Sequence, residues 1–215
     1  MPITQLVLIR HGETAWNAER RLQGHIDIGL NAQGLRQAQA LAEALAGEHF
    51  DAMYASDLQR ACQTAQAVAS RQGMLVHTDP GLRERCYGGF EGLLYAEIEQ
   101  RFPVEFAAWQ ARDIESVMPS GVRVAESFRQ FYRRCVATIA AIAARYPGRK
   151  LALIAHGGVL ECAYRSALGL SLETPRDFPV MNASINRFSV QGGVLSLNSW
   201  GEVDHLKRAA LDELG

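Results

Sequence analysis

Two apolar runs in this chain end in the same way, with a histidine followed at once by glycine. Residues 5–9 (QLVLI) lead through Arg10 into His11-Gly12, and residues 151–155 (LALIA) lead into His156-Gly157-Gly158. Both runs have the length of a strand and lack the polar alternation of a strand with one face in water. They therefore predict strands that are buried on both faces, as in a parallel sheet covered by helices.

Elsewhere, apolar residues recur at the spacing of an amphipathic helix. One helical stripe consists of Leu35, Ala38, Leu41, Ala42 and Leu45. A stronger stripe consists of Phe128, Phe131, Tyr132, Cys135, Ile139, Ile142 and Ala143. We expect this second helix to end near Tyr146-Pro147-Gly148, because proline and glycine seldom continue a helix.

A shorter third strand, residues 52–55, leads directly into another helix. Ser56-Asp57-Leu58-Gln59 has the pattern of a capping box, so we expect it to open that helix. The helix carries Leu58, Ala61, Cys62, Ala65 and Ala69 on one side. Near the end of the sequence, residues 185–190 and 194–199 flank Gly192-Gly193 and predict a β-hairpin.

This alternation of strands and helices, without a long linker or a repeat, predicts one domain over residues 1–215. The predicted fold class is α/β, a three-layer α/β/α domain with a mostly parallel sheet and a C-terminal hairpin. Residues 80–119 are less regular, since glycines at positions 81, 88, 89 and 92 predict a loop and residues 95–112 carry mixed helical signals. We expect substrate specificity to reside in this irregular segment.

The charge balance argues against general binding to polyanions. The chain has 22 Lys and Arg against 23 Asp and Glu, a formal net charge of −1. We therefore expect no nucleic-acid partner and no membrane partner. The first residues lack the basic and apolar regions of a signal peptide, and no stretch reaches the roughly 18 apolar residues of a membrane span. Together with cysteines that have neither CxxC nor zinc spacing (Cys62, Cys86, Cys135, Cys162), this predicts a cytoplasmic protein with reduced thiols.

The two histidines are predicted to lie where α/β proteins bind ligands. Such ligands collect at the carboxyl ends of the strands, so we expect His11 and His156 on neighbouring strands although they are 145 residues apart (156 minus 11). Glycine after each histidine allows close approach of the backbone, and a following helix start offers free N–H groups to an anion. One His-Gly pair could equally close a turn, but two in one chain favour a ligand site.

Arg60 is a further candidate, because it lies in the first turn of its predicted helix. The helix dipole disfavours a cation there unless an anion is also present. The alternative is a solvated surface arginine, which its position alone would favour.

The sequence around the first histidine, LVLIRHGETAWN at residues 6–17, resembles the signature of the histidine phosphatase superfamily, in its phosphoglycerate mutase-like branch. Further blocks follow in the family's order and extend the resemblance over nearly the whole chain: Gln23-Gly24, Leu30-Asn31, Ser56-Asp57-Leu58, Arg60-Ala61, Leu82-Arg83-Glu84, Glu91-Gly92, His156-Gly157-Gly158 and Asn182-Ala183-Ser184. A lone Arg-His-Gly would be weak, but the ordered set is highly specific.

The resemblance implies a phosphohistidine mechanism, in which His11 is the nucleophile and Glu84 handles the proton. It also implies that Arg10, Arg60 and His156 hold the phosphate. Positions that border the phosphate or the substrate in relatives correspond to Asn17, Gln23, Gly24 and Gly157. Elementary chemistry agrees, since neighbouring arginines disfavour the imidazolium form of His11 and leave a ring nitrogen free to attack.

No metal and no cofactor are expected, because arginines and a histidine can neutralise the phosphoryl oxygens and no metal-binding motif is present. Asp79 and Glu91 are alternative proton donors. Relatives often have a compact Pro-Gly-Glu-Ser turn where residues 119–127 are expanded, so no substrate contact is assigned there. His205 is either near the site or a surface histidine.

We favour a phosphatase that hydrolyses a small phosphomonoester, because the segment around Arg101 and Arg112 lacks the paired arginines of the mutases. A phosphoglycerate mutase-type phosphotransferase is the alternative, since residues 84–88 (ERCYG) resemble the mutase loop. A third alternative, of another class, is an inactive phosphate-binding or interaction module. The physiological substrate stays open, as does the oligomeric state, for which a homodimer is one option.

Overall fold

The computed structural model describes residues 2–207, and their strands form one six-stranded sheet in the order β3-β2-β4-β1-β5-β6. The strands are β1 (Thr4–Arg10), β2 (Ala52–Ala55), β3 (Val76–Thr78), β4 (Lys150–Ala155), β5 (Ile185–Gln191) and β6 (Val194–Glu202). β3, β2, β4 and β1 are mutually parallel, and β5 and β6 add an antiparallel hairpin beside β1. The predicted α/β class, the mostly parallel sheet and the C-terminal hairpin are confirmed.

Helices cover both faces of the sheet. They are α1 (Ala15–Ala18), α2 (Ala32–Ala44), α3 (Gln59–Gln72), α4 (Tyr95–Arg101), α5 (Pro103–Gln110), α6 (Phe128–Ala144) and α7 (Gly157–Leu168). Side chains alternate along β1, so Leu6 and Leu8 enter one core with α6 and α7, and Val7 and Ile9 enter the other with α2 and α3. The three-layer arrangement follows from this double burial.

The irregular segment has a small apolar core of its own. Leu22, Phe90, Ile98, Met118 and Ala125 are buried together, and the aromatic rings of Tyr87, Phe102, Phe106 and Trp109 pack against them. Two short helices, α4 and α5, form in the stretch with mixed helical signals. Tyr95 of α4 and Trp109 of α5 line the same cavity as His11.

Two local expectations were wrong, and one strand was missed. Ser56-Asp57-Leu58-Gln59 is not a capping box, because the helix begins with Leu58 as its N-cap and no side-chain cap. The Gln59 N–H instead donates to Asp27 Oδ1 over 2.7 Å, from a loop 32 residues earlier. Leu35 was placed on the buried stripe of α2 but is 54% exposed. The short edge strand β3 was not foreseen.

The predicted domain over residues 1–215 includes residues 1 and 208–215, which lie outside the described part of the chain. The four cysteines are free thiols. Within residues 2–207, no helix is both long and apolar enough to cross a membrane.

Candidate active site

The two histidines meet at the carboxyl edge of the sheet. β1 and β4 are adjacent parallel strands with Arg10 opposite Ala155, so the next residues, His11 and His156, are neighbours. Their ring centroids are 5.1 Å apart, with an angle of 61° between the ring planes. The predicted meeting of these two residues is confirmed.

The hydrogen bonds of His11 define which ring nitrogen is free. Nδ1 lies 2.6 Å from the carbonyl oxygen of Gly12, which can only accept, so Nδ1 carries the proton. Nε2 of the neutral ring then holds a lone pair, as a nucleophile requires. The Asn182 amide fixes the backbone from the other side by donating to the His11 carbonyl over 3.0 Å.

His156 has the opposite tautomer. Its Nδ1 accepts from Arg60 Nε over 3.3 Å, so its proton lies on Nε2. His156 is completely buried, and Nε2 has no hydrogen-bond partner within the described structure. A buried N–H without a partner costs free energy, and an oxyanion beside the two rings would remove that cost.

Arg60 is buried rather than solvated, with 1% of its surface exposed. Its Nη1 and Nη2 donate to the carbonyls of Ile26 and Gly24 over 3.0 and 2.8 Å. Neutral carbonyls do not neutralise a guanidinium, so its charge stays available to a bound anion.

Arg10 has the same character. Its Nη1 donates to the carbonyl of Val180, whereas Nε is buried and has no hydrogen-bond partner in the part of the chain described. Burial lowers the pKa of Arg10 and of Arg60 to about 10 in each case, so both stay cationic at neutral pH.

The same burial determines the charge of the histidines. Burial lowers the pKa of His11 well below its ordinary value, and the charges of Arg60 and Arg10 lower it further. The pKa of His156 is lowered by burial, then by Arg60 and His11. Both rings are therefore neutral, and burial is a larger cause of this than the arginines that the sequence predicts.

Glu84 lies on the loop between β3 and α4 and lines the same cavity as His11. Its Oε2 accepts from the backbone N–H of Gly158 over 3.0 Å, and its Oε1 accepts from the N–H of Arg85 over 2.8 Å. A Cβ at position 158 would lie 2.2 Å from Glu84 Oε1, so the carboxyl group would have to shift if this glycine were replaced.

The two alternative acids lie outside the wall of this cavity. Asp79 accepts from the N–H of Gly81 and caps a short 3₁₀ helix. Glu91 Oε1 accepts from the N–H groups of His25 and Tyr87 over 2.9 and 3.0 Å. Both carboxylates thus stabilise loops by accepting hydrogen bonds from backbone N–H groups.

The predicted substrate-binding residues all line the cavity, which has a volume of about 550 Å³. Asn17 closes a capping box with Thr14 at the start of α1. Gln23 is 7% exposed, and its Oε1 is unpartnered within residues 2–207. Gly24 has φ +53°, and a Cβ there would lie 2.1 Å from the Glu91 carboxylate. Gly157 begins α7 next to Arg10.

Several cavity residues were not singled out from the sequence. Tyr87, Tyr95 and Trp109 come from the irregular segment, while Glu161 and Arg176 come from α7 and the loop after it. The apolar stripe of α7 contains Glu161 among buried neighbours, a signal that could have been noticed. Arg176 lies in a loop without periodicity, so no pattern marks it. His205 Nε2 lies 3.0 Å from the Ala183 carbonyl and is not part of the cavity wall.

Within residues 2–207, no group of three or more His, Cys, Asp or Glu side chains is arranged to hold a metal ion. The cationic donors of the pocket are arginines, which fit oxyanions.

A parallel sheet covered on both faces, with a pocket of buried cationic donors and two neutral histidines at its carboxyl edge, defines an α/β protein suited to binding an oxyanion. The chain belongs to the histidine phosphatase superfamily (branch 1), whose family model matches residues 6–203. The family, and the enzyme class of histidine phosphatases, are those that the sequence predicts.

Relatives with both mutase and phosphatase names match nearly the full length. Phosphoglycerate mutase-like protein 4 of Arabidopsis thaliana is 36% identical, over 98% of this chain and 90% of its own. The metal-independent phosphoserine phosphatase of Arabidopsis thaliana is 34% identical, over 99% of this chain and 87% of its own. Among solved structures, Bacillus stearothermophilus YhfR has a TM-score of 0.86 and 32% identity, over 94% of this chain and 99% of its own.

Proposed function

We propose that the protein is a metal-independent phosphatase that hydrolyses a small phosphomonoester through a phosphohistidine on His11. The observation that carries the proposal is the tautomer pair. His11 presents an unprotonated Nε2, while His156 beside it holds an unpartnered N–H. A nucleophile and an oxyanion donor therefore lie side by side. In each histidine, the hydrogen bond at Nδ1 determines whether Nε2 carries the proton.

In the first step, Nε2 of His11 attacks phosphorus, and the bond from phosphorus to the leaving oxygen breaks. Glu84 gives its proton to that oxygen, so the alcohol leaves neutral. Arg10, Arg60 and the Nε2–H of His156 stabilise the charge on the three transferring oxygens. The charged guanidinium groups supply here what metal ions supply in other phosphoryl transfers.

In the second step, water attacks the phosphohistidine, and the bond from phosphorus to nitrogen breaks. Glu84, now a carboxylate, takes a proton from the water. Inorganic phosphate leaves, and His11 returns to its neutral form. Asn17, Gln23, Gly24 and Gly157 border the substrate in this reading, and their place on the cavity wall supports it.

The cavity wall also favours hydrolysis over transfer between substrate positions. Of Arg101 and Arg112, Arg112 lines the cavity, and its guanidinium is bound to Glu161 and to the carbonyl of Leu172. Arg101 lies elsewhere. A mutase remains the second candidate, because Tyr87 of the ERCYG loop lines the cavity and several relatives carry mutase names.

A rapid-quench experiment tests the proposal. The purified enzyme is mixed with a radiolabelled phosphomonoester, and acid-labile, base-stable label on the protein is measured during turnover. We expect label on the wild type and none on His11→Ala, whose activity falls to background. His49→Ala, at an exposed position, serves as the matched control and should label like the wild type.

If the wild type never labels during turnover while His11→Ala stays active, the phosphohistidine mechanism is wrong. Turnover of a panel of phosphorylated metabolites, compared by kcat/KM, then separates the candidates. Release of inorganic phosphate supports the phosphatase, and interconversion of phosphoglycerates without release supports the mutase. No turnover of any phosphomonoester would favour the inactive module.

A further inference from the structure

His25 lies between Arg60, which is proposed to bind the phosphate, and Glu84, which is proposed to donate the proton. The carbonyls on either side of it, those of Gly24 and Ile26, accept from the guanidinium of Arg60. The His25 ring reaches the other way, and its Nε2 lies 2.8 Å from the backbone carbonyl of Glu84. One short stretch of chain thus contacts both the phosphate-binding arginine and the proton donor.

The direction of this hydrogen bond is fixed by its acceptor. A carbonyl oxygen can only accept, so Nε2 of His25 carries the hydrogen. The backbone N–H of His25 is held in turn by Glu91, the carboxylate that also holds the N–H of Tyr87. Because Glu91 is nearly inaccessible to solvent, these two bonds fasten the segment around His25 firmly to the loop that carries Glu84.

Arg134 holds the Glu84 loop from the opposite side. Its guanidinium donates to the carbonyls of Gly81, Arg83 and Glu84 over 2.9, 3.0 and 3.1 Å. Glu126 binds the same guanidinium through both carboxylate oxygens, each at 2.7 Å. The Glu84 carbonyl therefore has two donors, and removal of His25 leaves one of them in place.

We infer that His25 is a positioning residue, which ties the proton donor Glu84 to the phosphate clamp at Arg60 and so fixes their separation. The inference rests on the proposed function, because it takes Glu84 as the proton donor. A shift of the Glu84 backbone would carry its carboxyl group away from the leaving oxygen, and small misplacements cost much in proton transfer. The alternative is a half-buried histidine that only stabilises a loop.

The test compares substrates that need a proton with one that does not. The alkyl ester glycerol 2-phosphate needs protonation of its leaving group, whereas p-nitrophenyl phosphate needs little. For His25→Leu, we expect kcat on the alkyl ester to fall about tenfold or more, with a loss of about twofold on the aryl ester. His25→Gln, whose amide N–H has similar reach, should recover most of the loss, and the shorter amide of His25→Asn should not.

A double-mutant cycle separates positioning from loss of fold. In the Glu84→Gln background, His25→Leu should cause no further loss of kcat on the alkyl ester, because the side chain that His25 positions can no longer donate a proton. Vanadate affinity should stay within about twofold of the wild type, since the clamp at Arg60 is retained. His49→Leu, at an exposed position, controls for the loss of a histidine.

Equal losses on both esters, additive effects in the cycle, or a fall in vanadate affinity as large as the fall in kcat would each overturn the role of His25. These outcomes are distinct from failure of the proposed function. If Glu84→Gln alone lowers kcat equally on both esters, Glu84 is not the proton donor. The proposed function is then wrong at Glu84, whatever the variants of His25 show. If His25→Leu does not fold, the contrast between His25→Gln and His25→Asn decides.

Discussion

The carboxylate of Glu84 accepts a hydrogen bond from the backbone N–H of Gly158, in the first turn of the helix that follows His156. Glu84, the proposed proton donor, is therefore positioned by the same helix start that carries one of the two histidines. A Cβ at position 158 would lie within 2.2 Å of its carboxyl group, which would have to shift.

Gly158→Ala should thus act on proton transfer. The added Cβ would lie 2.2 Å from Glu84 Oε1 and 2.8 Å from Phe131 Cε1, so the carboxyl group must move. We expect kcat on alkyl phosphates to fall on the order of 10²-fold, and less on aryl phosphates. Gly47→Ala is the matched control, because a Cβ there meets nothing within 4 Å. Unchanged activity of Gly158→Ala would contradict this placement of Glu84.

Glu84→Gln should keep the size of the side chain but remove the proton. We expect kcat for poor leaving groups to fall on the order of 10²- to 10⁴-fold, with a smaller fall on p-nitrophenyl phosphate. The ratio of the two losses, measured by steady-state kinetics, is the readout. Equal losses would remove the proton-donor role from Glu84 and leave that of His11 untouched.

Vanadate should inhibit competitively and raise the midpoint of thermal unfolding. Arg60 is buried and Arg10 half-buried, both with lowered pKa values, and the buried Arg10 Nε is without a partner among residues 2–207, so a bound oxyanion relieves an unfavourable burial. Activity should survive exhaustive treatment with a chelator. Loss of turnover in chelator, restored by a divalent metal, would refute the metal-independent mechanism.

Stability should fall as the pH falls below about 6.5. The folded protein resists protonation of His11 and His156, whose pKa values are lowered well below 6.5, whereas the unfolded chain takes up these protons near that pH. Each histidine then contributes a loss of about 1.4 kcal/mol per pH unit in the free energy of unfolding, down to its folded pKa. Urea unfolding between pH 7.5 and 5.5 measures the slope. His11→Gln should flatten it.

Arg176 should select substrates that carry a second acidic group. It lies on the cavity wall with its side chain 46% exposed, and its contact with Glu161 Oε2 is long, 3.6 Å, whereas Arg112 and Arg165 both bind Oε1 of that carboxylate. Arg176→Gln should raise KM several-fold for phosphoserine but not for p-nitrophenyl phosphate. Arg133→Gln, at an exposed position on α6, is the control. Equal changes on both substrates would exclude this role.

The sequence could predict that His11, His156 and Arg60 come together, because each follows a regular pattern. His11 and His156 end strands whose apolar runs are unmistakable, and Arg60 lies one residue inside a helix. The sequence could not predict what holds these residues. Asp27 caps α3 from a distant loop, and His25 bonds to a backbone carbonyl 59 residues away. Such contacts form between residues that are distant in sequence, so they leave no periodic pattern from which they could be predicted.

The position of β4 between β2 and β1 has a consequence for how the protein is made. When a ribosome has released β1, β2 and β3, the strand that must separate β1 from β2 has not yet been synthesised. Within the first 149 residues, β2 can pair with β3, but β1 has no neighbouring strand until β4 has been synthesised. We expect the centre of the sheet, and with it the pocket, to close only after residue 155 has emerged. The nascent chain thus exposes an apolar edge through most of its synthesis, a stage at which a chaperone would matter most.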